Sequence, residues 1–167
     1  MRKIVTLASA LLTGIFFSST AIAEDAEPAK WLFVHTAETA EMTSATTLVM
    51  PVTRDIFAFT DRPNRMHGYM NASQFVSMWD EGETFKADPP NAVLTFLDGS
   101  DLKENEITIT GASLGKSGSV HYDFVFLAGD ELPTGAFAVP SLFIDRAMFT
   151  GPRCGGGWDG PLAVGCY

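Results

Sequence analysis

Apolar and polar positions alternate with period two along most of the chain from Trp31 to Ile144. Trp31-Leu32-Phe33-Val34 opens a strand that extends toward Thr39, and Thr46 to Val52 (TTLVMPV) makes a second, with Pro51 near its end. Asp55 to Thr60 (DIFAFT) is a third; Ile56 and Ala58 share one face, Phe57 and Phe59 the other. Apolar residues on both faces predict a strand covered on both sides. One stretch departs from this period. Phe75, Met78 and Trp79 fall at i, i+3 and i+4, which is a helical stripe. Asn71 is placed to cap its start with Gln74 three residues on, and Gly82 to take the left-handed position after its end. The strand pattern then resumes. Ala92 to Leu97 ends at the turn Asp98-Gly99, Glu106 to Thr110 turns Ile107 and Ile109 inward, and Ser119 to Ala128 aligns Val120, Tyr122, Phe124 and Phe126. Gly115 to Gly118 fits a hairpin turn before that strand. Phe137 to Ile144 is the last strand, and Pro140 predicts an edge position or a bulge. The pattern predicts a mainly β fold: an antiparallel sandwich or partly open barrel of about seven strands with one short helix, residues 72–81.

The two ends read differently. Arg2 and Lys3, the apolar stretch Ile4 to Phe17 and the small-x-small sequence Ala21-Ile22-Ala23 form a secretory signal peptide over residues 1–23. The apolar stretch is short for a membrane span, so no stable membrane insertion is expected after cleavage. Residues 24–30 read as a disordered leader, residues 31–147 as a single β-rich domain, and residues 148–167 as a Gly-rich tail. The only two cysteines, Cys154 and Cys166, lie in that tail. An even, local pair in an exported chain predicts one disulfide, and the spacing matches neither a C-x-x-C motif nor a zinc knuckle. Trp158 sits inside that loop, either folded back on the sheet or presented to a partner. The expected location is outside the cytoplasm, in the periplasm of a Gram-negative bacterium.

Charge narrows the partners. The chain carries 11 basic and 20 acidic residues, a net charge of −9, and loss of Arg2 and Lys3 takes it to −11. Such a surface repels phosphate backbones, so nucleic acid is not an expected partner. The chain holds no G-x-S-x-G elbow, H-E-x-x-H, P-loop or dinucleotide fingerprint, which favours a non-enzymatic binding or structural domain. Three His and many acids leave an active site assembled in space as a further reading.

The densest polar block is Thr60-Asp61-Arg62-Pro63-Asn64-Arg65. An arginine fork binds a carboxylate through two parallel hydrogen bonds. Arg62 and Arg65 therefore predict an anion-binding corner, with Pro63 stiffening the turn, Asp61 orienting an arginine, and Trp79 and Asn91 flanking it. The competing reading is structural: Asp61 caps the turn while an arginine pairs with Asp80 or Asp88. No cofactor is expected on the first reading. An alternative is copper, since Met66, His67 and Met70 offer the thioether and imidazole ligands that suit Cu(I). Met78 lies close enough in sequence to join them, but it shares the apolar stripe and reads as core. The acidic stretch Asp98-Gly99-Ser100-Asp101 with Glu104 and Glu106 lacks the EF-hand spacing and reads as a solvated turn. Asn71-Ala72-Ser73 is formally a glycosylation sequon but serves better as the helix cap.

Three segments, FTDRPNRMHGYMNASQFVSMWDEG, FKADPPNAVLTFLDG and VHYDFVFLAGDELP, together resemble a group of small secreted proteins to which no activity is attached. The shared pattern is a (Ser/Thr)-Asp-Arg-Pro-x-Arg turn, a Phe/Trp helix and an Asp-Pro-Pro-Asn-Ala strand start. It falls here on Asp61, Arg62, Pro63, Arg65, Gly68, Phe75, Trp79, Asp88, Pro89, Pro90, Asn91 and Ala92. The resemblance spans residues 31–145 and implies a common fold; the cysteine-bearing tail lies outside it. The expected partner is an unknown protein or a small anionic ligand.

Overall fold

Ten strands of one antiparallel sheet form most of the computed structural model, which describes residues 29–148 and 163–164. They are β1 (Lys30–Thr36), β2 (Thr39–Ser44), β3 (Thr47–Pro51), β4 (Ile56–Thr60), β5 (His67–Met70), β6 (Asn91–Asp98), β7 (Asp101–Leu114), β8 (Ser119–Gly129), β9 (Gly135–Met148) and β10 (Ala163–Val164). The mainly β expectation thus holds, with more strands than the apolar runs announce. Cys154, Trp158 and Cys166 lie outside the described residues.

The pairing closes a ring. β9 pairs with β2 through Thr39↔Ala138 and with β6 through Ala92↔Ile144, and β2-β3-β8-β7-β6 completes the circuit. The sequence allowed a sandwich or a partly open barrel of about seven strands; the strands instead close a ring of six. β1 and β2 act as one kinked strand, because the register against β9 runs on unbroken from Phe33↔Ile144 through Thr36↔Ser141 to Thr39↔Ala138. At the kink the Ala37 N–H donates to the Pro140 carbonyl (3.2 Å) and the Val139 N–H to the Glu38 carbonyl (2.9 Å). Beyond the kink β1 leaves the ring and takes β4 as its second neighbour, followed by β5 and β10. β9 is therefore central. Of the two readings of Pro140, the bulge is the one observed: the β6–β9 register slips between Thr95 and Leu97, and Val139 has φ 52°.

Inward positions fill the barrel with Leu48, Met50, Leu94, Phe96, Ile107, Tyr122 and Leu142, all essentially buried. A helical segment between β5 and β6 packs against β7 and β9. It consists of α1 (Ala72–Val76), a 3₁₀ turn Ser77–Trp79 and α2 (Thr84–Ala87). Its cap is the expected one: the Gln74 N–H donates to Asn71 Oδ1 (2.9 Å). The stripe is also as expected, with Phe75, Met78 and Trp79 buried. The ring of Phe75 lies 5.4 Å from Phe33, and Trp79 lies 4.6 Å from Phe85. Gly82 has φ 88°, the left-handed geometry that follows the turn.

One polar pair crosses the barrel interior. His35, 1% exposed, sits with Nδ1 2.8 Å from the Tyr122 hydroxyl and Nε2 3.2 Å from the Pro51 carbonyl oxygen. A carbonyl only accepts, so Nε2 carries the proton and Nδ1 accepts from Tyr122. Burial lowers the His35 pKa to about 4, partly offset by the bond to Pro51, and burial raises that of Tyr122 well above its ordinary value.

Candidate functional site

The turn Asp61–Met66 joins β4 to β5, and Thr60 holds it. The Met66 N–H donates to Thr60 Oγ1 (2.8 Å), the Thr60 N–H donates to the Met66 carbonyl (2.9 Å), and the Arg65 N–H donates to the Asp61 carbonyl (3.1 Å). Thr60 is only 6% exposed, so its hydroxyl is spent on the backbone. The Arg62–Pro63 peptide is cis, and Arg65 has φ 52°. The sequence places Thr60 at the head of the polar block but does not announce that its hydroxyl holds the turn. Its signal was faint: a β-branched hydroxyl residue at the end of an apolar strand, where the next hydrogen bonds must come from the turn.

Asp61, Arg62 and Arg65 line one open concavity with Met66 and His67, over a floor of Phe57, Phe59 and Thr60. The three charged residues are exposed. Among the described residues no acidic side chain pairs with Arg62 or Arg65, and no backbone N–H caps the Asp61 carboxylate. The pairing with Asp80 or Asp88 that a purely structural role would use is not made. The corner instead presents two guanidinium groups and one carboxylate to water.

The other two residues expected at this corner lie elsewhere. Trp79 belongs to the core: it is 6% exposed, and its indole N–H donates to the Ile109 carbonyl (3.2 Å). The helical stripe that makes it conspicuous in the sequence is what buries it. Asn91 opens β6, accepts from the Thr108 hydroxyl (2.8 Å), and lines a second groove on the outside of the barrel.

The set Met66, His67 and Met70 does not converge. Residues alternate faces along β5, leaving His67 exposed and Met70 fully buried in the core, with Met66 half-buried before the strand. Met78 is core as well. No group of three His, Cys, Asp or Glu able to hold a metal ion occurs among the described residues. Asp98 and Asp101 face each other across the β6–β7 turn and are exposed.

The second groove, about 280 Å³, is lined from β4, β1, β9, β6, β7 and β8. Its side walls are Leu32, Val34, Phe59, Val93, Leu127 and Phe143, with Asn91, Glu106 and Asp145 on its polar margin. The register explains it. Tyr69↔Phe57, Phe57↔Val34, Val34↔Phe143 and Phe143↔Val93 place an unbroken apolar row across five strands, on the face turned away from the core. Antiparallel strands with one solvated face ordinarily put polar residues there. Here Phe143 is 47% and Tyr69 53% exposed. The pattern of β4 had predicted a strand covered on both sides, and the structure corrects this. Among the described residues only the inner face is covered by other elements, while Phe57 and Phe59 stack at 5.7 Å and Tyr69 lies 5.3 Å from Phe57. Phe59 lines both the groove and the arginine corner, so the two concavities meet at this side chain. Comparison with known protein families, curated proteins and solved structures finds no match for this chain.

Proposed function

We propose that this protein is an exported, non-enzymatic binding module whose ligand carries an anionic group held by Arg62 and Arg65. The observation that carries this reading is the pair of exposed guanidinium groups with no acidic partner among the described residues, in a chain of net charge −9. With acids in such excess, two neighbouring arginines left without one are available to an external carboxylate. Thr60 fixes the backbone on both sides of the turn, so much of the ordering is already present before a ligand arrives. The signal-like sequence of residues 1–23 supports export, and no helix among the described residues is long and apolar enough to cross a membrane.

The test is a calorimetric titration with a monocarboxylate and with a sugar acid. Losing a charge-assisted hydrogen bond costs about 1.5–3 kcal/mol, so Arg62→Ala should weaken binding at least tenfold. The thermal midpoint should stay where it is, because the side chain is exposed and unpaired. Equal affinity in wild type and variant contradicts the reading, and so does unfolding of the variant.

A further inference from the structure

We infer that the ligand of this module is a single acyl chain with an anionic head, its head on Arg62 and Arg65 and its tail in the outer groove. The inference rests on the anion-binding reading and names the ligand class. Its first support is adjacency: Phe59 belongs to both concavities, so a molecule held at the arginines has an apolar side chain of the groove beside it. Its second is charge complementarity. The cationic corner adjoins the groove at Phe59, while Glu106 is exposed on the groove's margin. A cationic head at the corner would be repelled, and a neutral chain would leave both guanidinium groups unused.

The floor also selects against a peptide. β4, β1, β9 and β6 each have a hydrogen-bonded strand on both sides, so they offer no edge to an added strand. An extended peptide laid across them would bury its own N–H and C=O groups against Leu32, Val34 and Phe143 without partners. A polymethylene chain has no such groups to satisfy. The volume fits one chain: about 280 Å³ holds roughly nine water-sized groups at about 30 Å³ each. A membrane surface is a poorer occupant, because the trough is concave and the net charge of −9 opposes anionic lipid.

The experiment is a titration of the purified protein with straight-chain carboxylates from hexanoate to tetradecanoate, each below its micellar concentration, and with the corresponding primary alcohols. Full burial of a methylene is worth up to about fourfold in affinity, so Kd should fall by two- to fourfold per carbon and then level off once the groove is full. Phe143→Ser and Leu127→Ser alter exposed positions, and each should flatten the chain-length dependence, weakening tetradecanoate more than hexanoate. Arg62→Ala should weaken every carboxylate by the same factor and leave the increment per carbon intact. Two failures are distinguishable. If alcohols bind as well as carboxylates but chain length still matters, the anion reading falls and with it the head-group part of this one. If short and long carboxylates bind alike, the groove is not the tail site, and only the corner remains. Co-sedimentation with phosphatidylglycerol vesicles without binding of monomeric tetradecanoate would also overturn the inference, in favour of a bilayer surface.

Discussion

Acidification from neutrality forces a proton onto His35, which the barrel interior does not accommodate. The imidazole is 1% exposed, donates from Nε2 to the Pro51 carbonyl, and accepts at Nδ1 from Tyr122. Burial lowers its pKa from 6.5 to about 4. A folded-state value below the unfolded one means that the unfolded chain binds the proton more readily, so stability falls as the pH falls. The contribution is complete above about pH 6.5, is lost progressively toward about pH 4, and changes no further below. The whole span is worth about 3 kcal/mol, of which about 2 is gone by pH 5. Urea unfolding of wild type and His35→Gln at about pH 7 and about pH 5 isolates this part, because every other titrating group is common to both proteins. Wild type should lose about 2 kcal/mol more than the variant between the two pH values. Tyr122→Phe, measured at pH 7, removes the hydroxyl that satisfies Nδ1 and should cost about 1–3 kcal/mol. Equal pH dependence in wild type and His35→Gln would refute the argument, as would a Tyr122→Phe protein as stable as wild type.

Other consequences follow from single contacts. Thr60→Val keeps the shape of a 6%-exposed side chain but leaves the Met66 N–H without its acceptor; stability should drop by about 1–3 kcal/mol, and carboxylate binding should weaken although both arginines remain. Gly129→Ala should cost about 2–3 kcal/mol in thermal unfolding, because φ is 125° and the new Cβ would overlap the Glu104 carbonyl oxygen and stand 2.8 Å from Asn105 Cα, both backbone atoms. Trp79→Phe should lose about 1–2 kcal/mol with the bond to Ile109 while carboxylate affinity stays the same; a selective loss of affinity would return Trp79 to the site.

What the sequence disclosed depended on how far each signal is local. The cap at Asn71 and the stripe Phe75-Met78-Trp79 are decided within one turn of chain and are found as read; the helix expected over 72–81 is shorter, α1 ending at Val76 and the 3₁₀ turn at Trp79, so the left-handed Gly82 lies beyond its end. The hairpin at Gly115–Gly118 is equally local, with the Gly115 N–H bonded to the Ser119 carbonyl. β5 was overlooked because four residues, HGYM, give one and a half alternations, and its His and Met suggested metal chemistry instead. α2 is a single turn without a side-chain cap. Phe126 aligns with Val120, Tyr122 and Phe124 in the sequence, yet it is 42% exposed; β3 covers β8 only from Ser119 to Asp123, and the register slips just beyond. Of the corner, Arg62 and Arg65 were visible as a dense polar block. The groove beside it was not, because it depends on which strands lie next to β9, and that is a property of the ring and not of any segment.

The central claim is that Arg62 and Arg65 hold an anion. The direct measurement is the affinity for decanoate of wild type and of Arg62→Ala, each titrated at low and at high salt. The account predicts that wild type binds at least ten times more tightly at low salt and that the gap narrows as salt screens the exposed pair. Equal affinities at both salt concentrations would contradict it.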